Sequence, residues 1–435
     1  MKKKVIIVGA GFSGLSLAYY LCQKNIKVEI YEKSNRCGGL IGTHKNTFGL
    51  AEQAANSFLA TAKMEAFLQD LSIAVASPLP TAKKRFLFRG KPTPWPLQFF
   101  ESLFFLMRIF FRFLPLLFFS KKTLRPLPEE NLQDWGRRFF GRPATDFILS
   151  PAFQGIYASS AENLSASLLL GGFFNRSAQS RGKYRGLLSG KTGMGSVIEN
   201  LQTYLQAKGV KIHFNQAMNK KDLFSLFDTD NNLQFENTIQ PAMASKNNFA
   251  AKPPIIVVAT SASQAISLLQ EPVALELKKI TMNSLTTATV FFKNTRRKEQ
   301  GFGCLIPALA NKKTKGILFN DCIFSERTKD DSVSSETWIL DGSTVGFSKE
   351  ELKNLILAER KEIFSVDEEG RLLDIEFFQW DQALPLYNTN LEQILQNLEG
   401  LQTQNLFLHG NYLGHLGLSK ILQRSFDLAE KIEGL

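Results

Sequence analysis

A strand–turn–helix–strand pattern over the first forty residues constrains this chain more than any other feature. Val5–Val8 form a short apolar, β-branched run, which is typical of a strand buried on both faces. Gly9, Gly11 and Gly14 follow in G-x-G-x-x-G spacing, and an apolar run with helical character comes after them. A second apolar strand then ends on Glu32. The pattern predicts a βαβ unit with a parallel sheet.

Each glycine of this turn has a physical task. Gly9 permits the tight turn, Gly11 lets the backbone approach a pyrophosphate, and Gly14 lets the helix pack closely on the strand. The helix N-terminus offers free N–H groups to phosphates, and Glu32 can accept hydrogen bonds from a ribose. A secretory signal peptide is the alternative, because Lys2–Lys4 precede an apolar stretch. A signal peptide would not explain the second strand, which ends on Glu32, so we favour a dinucleotide site.

Composition limits the class of protein. A chain of 435 residues with 44% apolar and 21% charged residues is long enough for two or three globular domains. The net charge of +12 suits an anionic surface or substrate, but the basic residues are scattered, which argues against a nucleic-acid-binding array. The four cysteines show no C-x-x-C spacing and the four histidines are dispersed. We therefore expect no metal site and no disulfide framework, which fits a reducing, cytoplasmic compartment.

The stretch 97–119 is rich in Phe and Leu and long enough to raise the question of a membrane span. On a helix, Glu101, Arg108 and Arg112 lie within roughly 40° of one another, so one narrow polar line faces a broad apolar surface. A basic segment follows at 121–125. We favour a helix lying in a membrane interface with its charges toward headgroups. A helix buried in a core or lining an apolar pocket, and a spanning helix that hides three charges, remain the alternatives.

Later segments predict how the chain continues. Val210–Phe214 reads as a strand that returns to the first sheet, Ile255–Thr260 as another buried strand followed by a helix, and Leu406–His409 as a strand before the closing helix. Residues 284–380 alternate strand-like runs with one helix near 349–364, which predicts a mixed sheet carrying a substrate pocket.

The residues after Glu32 distinguish flavin from nicotinamide. Arg36, Gly38 and Gly39 complete an E-x-x-x-R-x-G-G pattern, which resembles the flavoprotein amine-oxidase superfamily. In that superfamily the segment lies along FAD, so the resemblance implies FAD as the cofactor. Segments spread over most of the chain resemble one branch, the FAD-dependent protoporphyrinogen or coproporphyrinogen oxidases of haem synthesis. The most discriminating is Trp135–Ser165, with R-R-x-x-G, a proline, G-I-Y-A and E-x-L-S in that order.

This resemblance implies an α/β fold with a Rossmann-like FAD-binding domain, a mixed-sheet substrate domain and a helical membrane-associated domain. The expected boundaries are 1–83, 185–275 and 401–435 for the first, 84–96 and 276–400 for the second, and 97–184 for the third. The expected activity is FAD-dependent oxidation of protoporphyrinogen IX, with hydride passing to the flavin and oxygen as acceptor. Alternatives are a coproporphyrinogen III oxidase, another amine-oxidase-like flavoenzyme, and a catalytically impaired flavin-binding relative. The resemblance implies peripheral attachment to a membrane, and it does not distinguish a monomer from a homo-oligomer.

The resemblance also implies site residues. Those expected to bind FAD are Gly9, Ala10, Gly11, Phe12, Ser13, Gly14, Glu32, Lys33, Arg36, Gly39, Leu40, Ala54, Ala55, Asn56, Ser57, Asn411, Leu416, Gly417 and Leu418. Those expected to bind the tetrapyrrole are Arg85, Gly155, Leu305, Leu318 and Ile339. Arg85 either pairs a propionate or is a surface strand residue whose charged head lies in water. No side chain is assigned as catalytic, because the flavin carries the chemistry.

Four positions depart from the family pattern, which usually has glycine there. They are Ala54, Thr192, His415 and Ser425. A side chain at a position where the backbone approaches the cofactor closely can displace the ligand. These four substitutions therefore leave open whether the protein is catalytically active.

Overall fold

The structure is a computed structural model that describes residues 3–113, 125–174, 182–226, 254–401, 403, 405–414 and 416–435. Its strands are β1 Lys4–Val8, β2 Lys27–Tyr31, β3 Thr43–Asn46, β4 Gly49–Glu52, β5 Phe58–Leu59, β6 Val75–Ala76, β7 Phe86–Phe88, β8 Pro92–Thr93, β9 Leu187–Gly190, β10 Lys211–His213, β11 Ile255–Val258, β12 Met282–Lys293, β13 Gly303–Leu305, β14 Thr314–Phe319, β15 Val333–Asp341, β16 Leu372–Pro385 and β17 Leu406–Leu408. Its α-helices are α1 Phe12–Gln23, α2 Ala62–Asp70, α3 Phe99–Phe113, α4 Leu132–Phe140, α5 Arg142–Ala144, α6 Ser150–Tyr157, α7 Ala166–Phe174, α8 Gly195–Ala207, α9 Lys220–Ser225, α10 Ala262–Leu268, α11 Val273–Lys278, α12 Asn320–Ile323, α13 Lys349–Phe364, α14 Thr389–Gly400 and α15 Leu418–Gly434.

The first sheet is parallel and has the order β10–β2–β1–β11–β17. The strand predicted to return to it, β10, does so, and the other two predicted strands, β11 and β17, join the same sheet; each of the three is shorter than the sequence pattern suggested. Helices α1, α8 and α15 pack on one face, and α10, α11 and α14 pack on the other. Because both faces are covered, the central strands are apolar throughout instead of alternating. The glycine-rich turn follows the carboxyl end of β1, and Glu32 follows the carboxyl end of β2, so both lie at the same edge of the sheet.

The second sheet is mixed and has the order β16–β12–β15–β14–β13–β7–β8. Strands β13 and β7 are parallel, and the other neighbours are antiparallel. One face is a closed core in which Phe319 and Trp338 pack with Ile356 of α13. On the opposite face Leu305, Leu318 and Ile339 are half-buried, whereas Thr287 and Phe291 of β12 are buried. The expected mixed sheet is therefore present, and the half-buried part of this face is available for a site. The division of the chain into domains stays a prediction.

A buried ion-pair network stabilises the closed side of the second sheet. Glu336 accepts hydrogen bonds from Arg297 Nε at 2.9 Å, from Arg360 Nε at 3.1 Å and from Trp338 Nε1 at 3.1 Å. Arg360 also contacts Glu368. Burial alone would raise the pKa of Glu336, but the charges of Arg360 and Arg297 outweigh it and hold the pKa below its usual value. The carboxylate is thus held ionised inside the protein.

Helix α3 covers Phe99–Phe113, and residues 114–119 of the predicted helix lie outside the described residues. Its apolar face points away from the protein, with Phe99 and Phe100 77% and 79% exposed. Glu101 and Arg108 face inward, because Glu101 pairs with Arg89 at 2.6 Å and Arg108 donates to the carbonyl of Arg137 at 3.1 Å. The prediction that these charges point toward headgroups is therefore wrong for Glu101 and Arg108. Burial of the apolar face in a core is also contradicted.

The side chains that share this outward face of α3 form what we call the α3 apolar face. It consists of Phe99, Phe100, Leu103, Phe104, Leu106, Met107, Phe110 and Phe111. Within the part of the chain that the structure describes, no helix has both the length and the apolar character to cross a bilayer.

Candidate functional site

The glycine-rich turn lies at the carboxyl end of β1 and leads into α1. Gly9 has φ +107°, a conformation that side chains rarely adopt, and an added Cβ would meet the carbonyl oxygen of Ala259 at 2.8 Å. A Cβ on Gly14 would meet the carbonyl oxygen of Gly9 at 2.1 Å. A Cβ on Gly11 would meet nothing within 4 Å. Gly9 and Gly14 are thus needed by the protein itself, whereas the space beside Gly11 is free for a ligand.

The first turn of α1 is available to an anion. Gly11 is the N-cap residue and has no side chain to accept from the first N–H groups of the helix. Those N–H groups have no intrahelical partner, so the turn presents donors and the positive end of the helix dipole to the free space. This is the arrangement that a pyrophosphate requires.

The carboxylate of Glu32 lies against the same turn. Its Oε2 accepts from the N–H of Ala10 at 2.8 Å, and its Oε1 accepts from the N–H and hydroxyl of Ser34 at 2.9 and 2.8 Å. The second glycine pair is adjacent, because Gly38 donates its N–H to the carbonyl of Ala10 at 2.8 Å. The two predicted motifs are therefore side by side, although they are more than twenty residues apart in the chain. Lys33 is exposed at this edge.

Arg36 fastens the second glycine turn. It donates to the carbonyls of Gly39 at 2.7 Å and Ile41 at 3.1 Å, and to Gln53 Oε1 at 2.9 Å. The guanidinium thus supports the loop backbone around Leu40 and links it to the segment that precedes Ala54. The sequence pattern identified the residue, but not this supporting contact.

The segment 54–57 is half-buried and lies between the two sheets. The residue before this segment is Gln53, and its carbonyl accepts hydrogen bonds from Thr287 Oγ1 at 2.7 Å and from Trp380 Nε1 at 3.0 Å. Both donors belong to the second sheet. The described elements thus bring Ala54, Ala55, Asn56 and Ser57 next to β12 and β16, which belong to the same sheet as the strands that carry Leu305, Leu318 and Ile339.

A buried ion pair lies beside this segment. Glu52, at the end of β4, contacts Arg327 Nη1 at 2.5 Å and accepts from Thr43 Oγ1 at 2.6 Å and from the N–H of Met194 at 2.9 Å. Burial raises the pKa of Glu52 above its ordinary value, and the charge of Arg327 opposes that shift. No spacing pattern in the sequence reveals this pair, because its partners are 275 residues apart.

The C-terminal segment begins at Asn411, whose carbonyl accepts from Tyr387 Oη at 2.6 Å and whose Nδ2 donates to the carbonyl of Ala383 at 3.2 Å. Gly417 caps α15, and Leu418 starts it. Leu418 packs against the same apolar cluster as Phe12. Ile41, Phe58 and Met194, which follow other predicted segments, belong to this cluster as well. Residues next to several of the predicted cofactor segments therefore pack together. His415, one of the four departures, lies outside the described residues.

Ser425, another departure from the family pattern, is accommodated by hydrogen bonds. Its Oγ is hydrogen-bonded to Ser16 Oγ at 2.7 Å and to His409 Nε2 at 2.8 Å. These contacts join α1, β17 and α15. Burial, with a smaller contribution from the charge of Arg424, lowers the pKa of His409 to about 3. The serine thus joins a buried polar chain and does not enter the free space beside Gly11. Of the other departures, Ala54 is half-buried in its loop and Thr192 is exposed in a turn.

This buried histidine predicts a pH dependence of stability. In the unfolded chain His409 takes up a proton near pH 6.5, whereas in the folded protein it does so only near pH 3. Between these values the unfolded state binds the extra proton, so stability falls as the pH falls. We expect His409→Gln to remove about 2 kcal/mol of the loss between pH 7 and pH 5. Urea unfolding of the parent chain and the variant at pH 7 and pH 5 measures the free energy of unfolding. An equal loss of stability in both chains between pH 7 and pH 5 would contradict the role of His409.

The predicted substrate residues are distributed along one face of the second sheet. Leu305 and Ile339 both pair with Gly316, and Leu318 lies two residues along β14 on the same face. Gly155 of α6 packs there, since a Cβ on it would meet Leu305 Cδ2 at 2.9 Å. Ile339 also pairs with Thr287, the residue that holds Gln53. The row thus leads from the α6 helix to the 54–57 segment.

Arg85 is at the far end of this arrangement. It precedes β7, is exposed, and lies with its guanidinium carbon 5.1 Å from the ring centroid of Phe302. The structure places it at the end of the sheet and not among the apolar residues.

These observations test whether the residues fit FAD. The free space beside Gly11, the donors of the first turn of α1 and the buried carboxylate of Glu32 match a pyrophosphate and a ribose. The half-buried segment 54–57 and the half-buried residues Asn411, Leu416 and Leu418 can cover a ring. The fold and the site together define a dinucleotide-binding α/β protein with a second, mixed sheet beside the nucleotide site.

Comparison with known proteins assigns the family. The model of the flavin-containing amine oxidoreductases matches residues 12–418, and the chain belongs to that family. FAD is its cofactor, and it is an FAD-dependent oxidoreductase.

The chain is similar to two curated relatives in sequence and to one solved structure in fold. Protoporphyrinogen oxidase 2, chloroplastic/mitochondrial, of Arabidopsis thaliana is 24% identical over 99% of this chain and 94% of its own length. Coproporphyrinogen III oxidase of Bacillus subtilis (strain 168) is 21% identical over 91% of this chain and 90% of its own. A crystal structure of a putrescine oxidase variant superimposes with a TM-score of 0.67 at 13% identity, covering 100% of both chains. The last comparison supports the fold alone.

Proposed function

We propose that this protein oxidises protoporphyrinogen IX to protoporphyrin IX. The observation that carries the proposal is the row of half-buried apolar residues on the open face of the second sheet, which leads directly to the 54–57 segment. A flat apolar macrocycle needs such a surface, and its propionates need a few cations. The similarity to enzymes named protoporphyrinogen oxidase along almost the whole chain supports the same substrate class.

The residues of this chain would position the cofactor and the substrate and would exclude water from them. FAD, when bound, accepts the hydride removed from the substrate. Gly9, Gly11 and Gly14 would admit the pyrophosphate, and Glu32 would hold the ribose. The segments 54–57 and 411–418 would enclose the ring. Leu305, Leu318 and Ile339 would keep water from the macrocycle, with Gly155 opening the wall beside them. Arg85 would pair a propionate at the exposed end of the sheet.

The experiment that tests this function measures product directly. The purified protein is mixed aerobically with protoporphyrinogen IX or coproporphyrinogen III, and porphyrin fluorescence is followed. We expect faster porphyrin formation from protoporphyrinogen IX. Faster formation from coproporphyrinogen III would favour the alternative that the similarity to the Bacillus subtilis enzyme supports. Bound FAD without turnover of either compound would favour another substrate or a catalytically impaired relative.

We also propose that the α3 apolar face docks on a membrane surface. Eight large apolar side chains are exposed on one helix of a chain with net charge +12, and such a face suits the interface of a bilayer that contains anionic lipids. The inward ion pair of Glu101 with Arg89 fixes the helix to the strand pair β7–β8. Docking would then place the end of the second sheet near the bilayer, and the protein would attach to it peripherally.

Removing apolar side chains from this face should release the protein from vesicles. We expect substitution of Phe100, Phe110 and Phe111 by Ser to weaken binding to vesicles of mixed zwitterionic and anionic lipids by about tenfold or more, because each phenylalanine contributes about 1.5–3 kcal/mol when buried. Co-sedimentation measures the bound fraction. The control replaces two exposed leucines outside the helix, Leu275 and Leu309, by Ser. Equal binding of the triple variant and the parent chain would contradict docking by α3.

A further inference from the structure

Side chains of the second-sheet region hold two backbone carbonyls of the loop that contains the predicted flavin contacts. Thr287 and Trp380 donate to the carbonyl of Gln53, as described above. Arg327 donates through Nη2 to the carbonyl of Asn56 at 3.2 Å. The three donors come from β12, from β16 and from the connection between β14 and β15. The loop is therefore fastened to the second sheet at two points, and Asn56 belongs to the segment expected beside the flavin.

Arg327 is buried, with 2% of its surface exposed, and its guanidinium has three kinds of partner. Besides the carbonyl of Asn56, it contacts the carboxylate of Glu52 at 2.5 Å and donates to Ser189 Oγ at 2.5 Å. Each partner belongs to a different segment. The planar fork of arginine supplies donors in several directions at once, which a lysine ammonium on a flexible stem cannot reproduce.

Backbone contacts keep Arg327 in place. Gly49 forms a bridge with Thr328, and Lys329 donates its N–H to the carbonyl of Phe48 at 2.9 Å. A Cβ on Gly49 would meet the carbonyl oxygen of Arg327 at 2.3 Å, so the two segments are in direct contact. The position of the guanidinium is thus set by the hairpin β3–β4 as well as by its ion pair.

We propose that Arg327 is a positioning residue for the flavin, which acts by holding the carbonyl of Asn56 and with it the segment 54–57. This inference rests on the proposed role of that segment beside the isoalloxazine. Glu52 balances the charge of the guanidinium, and Ser189 fixes its orientation. Since the same segment is bonded to the second sheet through Gln53, Arg327 also sets the distance between the flavin and the substrate face.

The test compares FAD affinity with the stability of the apoprotein. Apoprotein is titrated with FAD, the dissociation constant is read from the change in flavin fluorescence, and the melting temperature is measured without FAD. We expect Arg327→Lys to weaken FAD binding by about tenfold, because the lysine keeps the ion pair with Glu52 but loses the bond to Asn56. The matched control is Arg360→Lys, which changes another buried arginine with carboxylate partners. It should lower the melting temperature and leave FAD affinity unchanged.

A second variant separates positioning from charge balance. Arg327→Met combined with Glu52→Gln removes both charges, so the apoprotein should recover stability relative to Arg327→Met alone. FAD affinity should stay low in the double variant, because the carbonyl of Asn56 still lacks its donor. Recovery of FAD affinity together with stability would overturn the proposal, as would parental affinity in Arg327→Lys. Failure of the parent chain to bind FAD would instead contradict the proposed function.

Discussion

Replacing Gly11 with alanine is expected to weaken FAD binding by about 10- to 100-fold, since overpacking at a close contact costs about 1–3 kcal/mol. The same substitution should change the stability of the apoprotein by less than about 1 kcal/mol, because the gain from a less flexible unfolded chain is offset by the poorer N-cap that alanine provides. A large loss of affinity without a large loss of stability is what we expect of a glycine whose neighbouring space is occupied by a ligand.

The reason lies in the geometry of the turn. Gly11 has φ −70° and ψ 174°, which alanine adopts without strain, and its added methyl group would meet no protein atom within 4 Å. The methyl group would instead occupy the space into which the first turn of α1 directs its N–H groups. A lower affinity therefore reports a clash with the cofactor and not a damaged fold.

Two other glycines serve as controls. In Gly14→Ala the new methyl group would lie 2.1 Å from the carbonyl oxygen of Gly9, so the apoprotein itself should be destabilised. Gly400, at the end of α14, has open space around it, and Gly400→Ala should leave the FAD affinity unchanged without destabilising the apoprotein. FAD titration and urea unfolding of each apoprotein make the comparison. If Gly11→Ala bound FAD as tightly as the parent, the pyrophosphate would not lie on this turn.

Replacing Glu336 with glutamine is expected to lower the free energy of unfolding by about 3–5 kcal/mol. The carboxylate is fully buried between Arg297 and Arg360 and also accepts from Trp338. Its removal leaves Arg297 without its closest carboxylate inside the protein, and that uncompensated charge is the costly element. Urea unfolding measures the effect as a shift of the midpoint at constant slope.

The matched control is the same substitution at an exposed ion pair on α13, the helix that packs on the second sheet. Glu350 pairs with Lys353 at 3.2 Å near the start of α13, where its side chain is largely exposed. Glu350→Gln should leave the unfolding curve unchanged, because exposed pairs contribute little. Superimposed curves for Glu336→Gln and the parent would show that the buried network does not stabilise the fold.

The nucleotide half of the site could be predicted from the sequence because its information is local. The turn at Gly9 to Gly14, the acidic residue at Glu32 and the glycine pair at 38–39 lie within one short segment, and each residue type is required by backbone geometry. The strand at Ile255–Val258 was predictable for a related reason, since strands covered on both faces are continuously apolar.

The link between the two sheets could not be predicted in this way. Arg327 and Glu52 carry no spacing signal, and a buried arginine looks like a surface arginine in the sequence. Helix α3 shows a second limit. Periodicity gave the angular width of its polar line, but it did not determine which side of the helix packs on the protein. That depended on Arg89, a tertiary partner from the turn between β7 and β8.

The most direct test of the central claim is anaerobic reduction of the bound flavin. The holoprotein is mixed with protoporphyrinogen IX in the absence of oxygen, and the visible absorption of the oxidised flavin is followed. We expect this absorption to bleach as porphyrin forms and to return when oxygen is admitted. A flavin that stays oxidised with protoporphyrinogen IX and coproporphyrinogen III, yet is bleached by dithionite, would contradict the assignment of a porphyrinogen substrate.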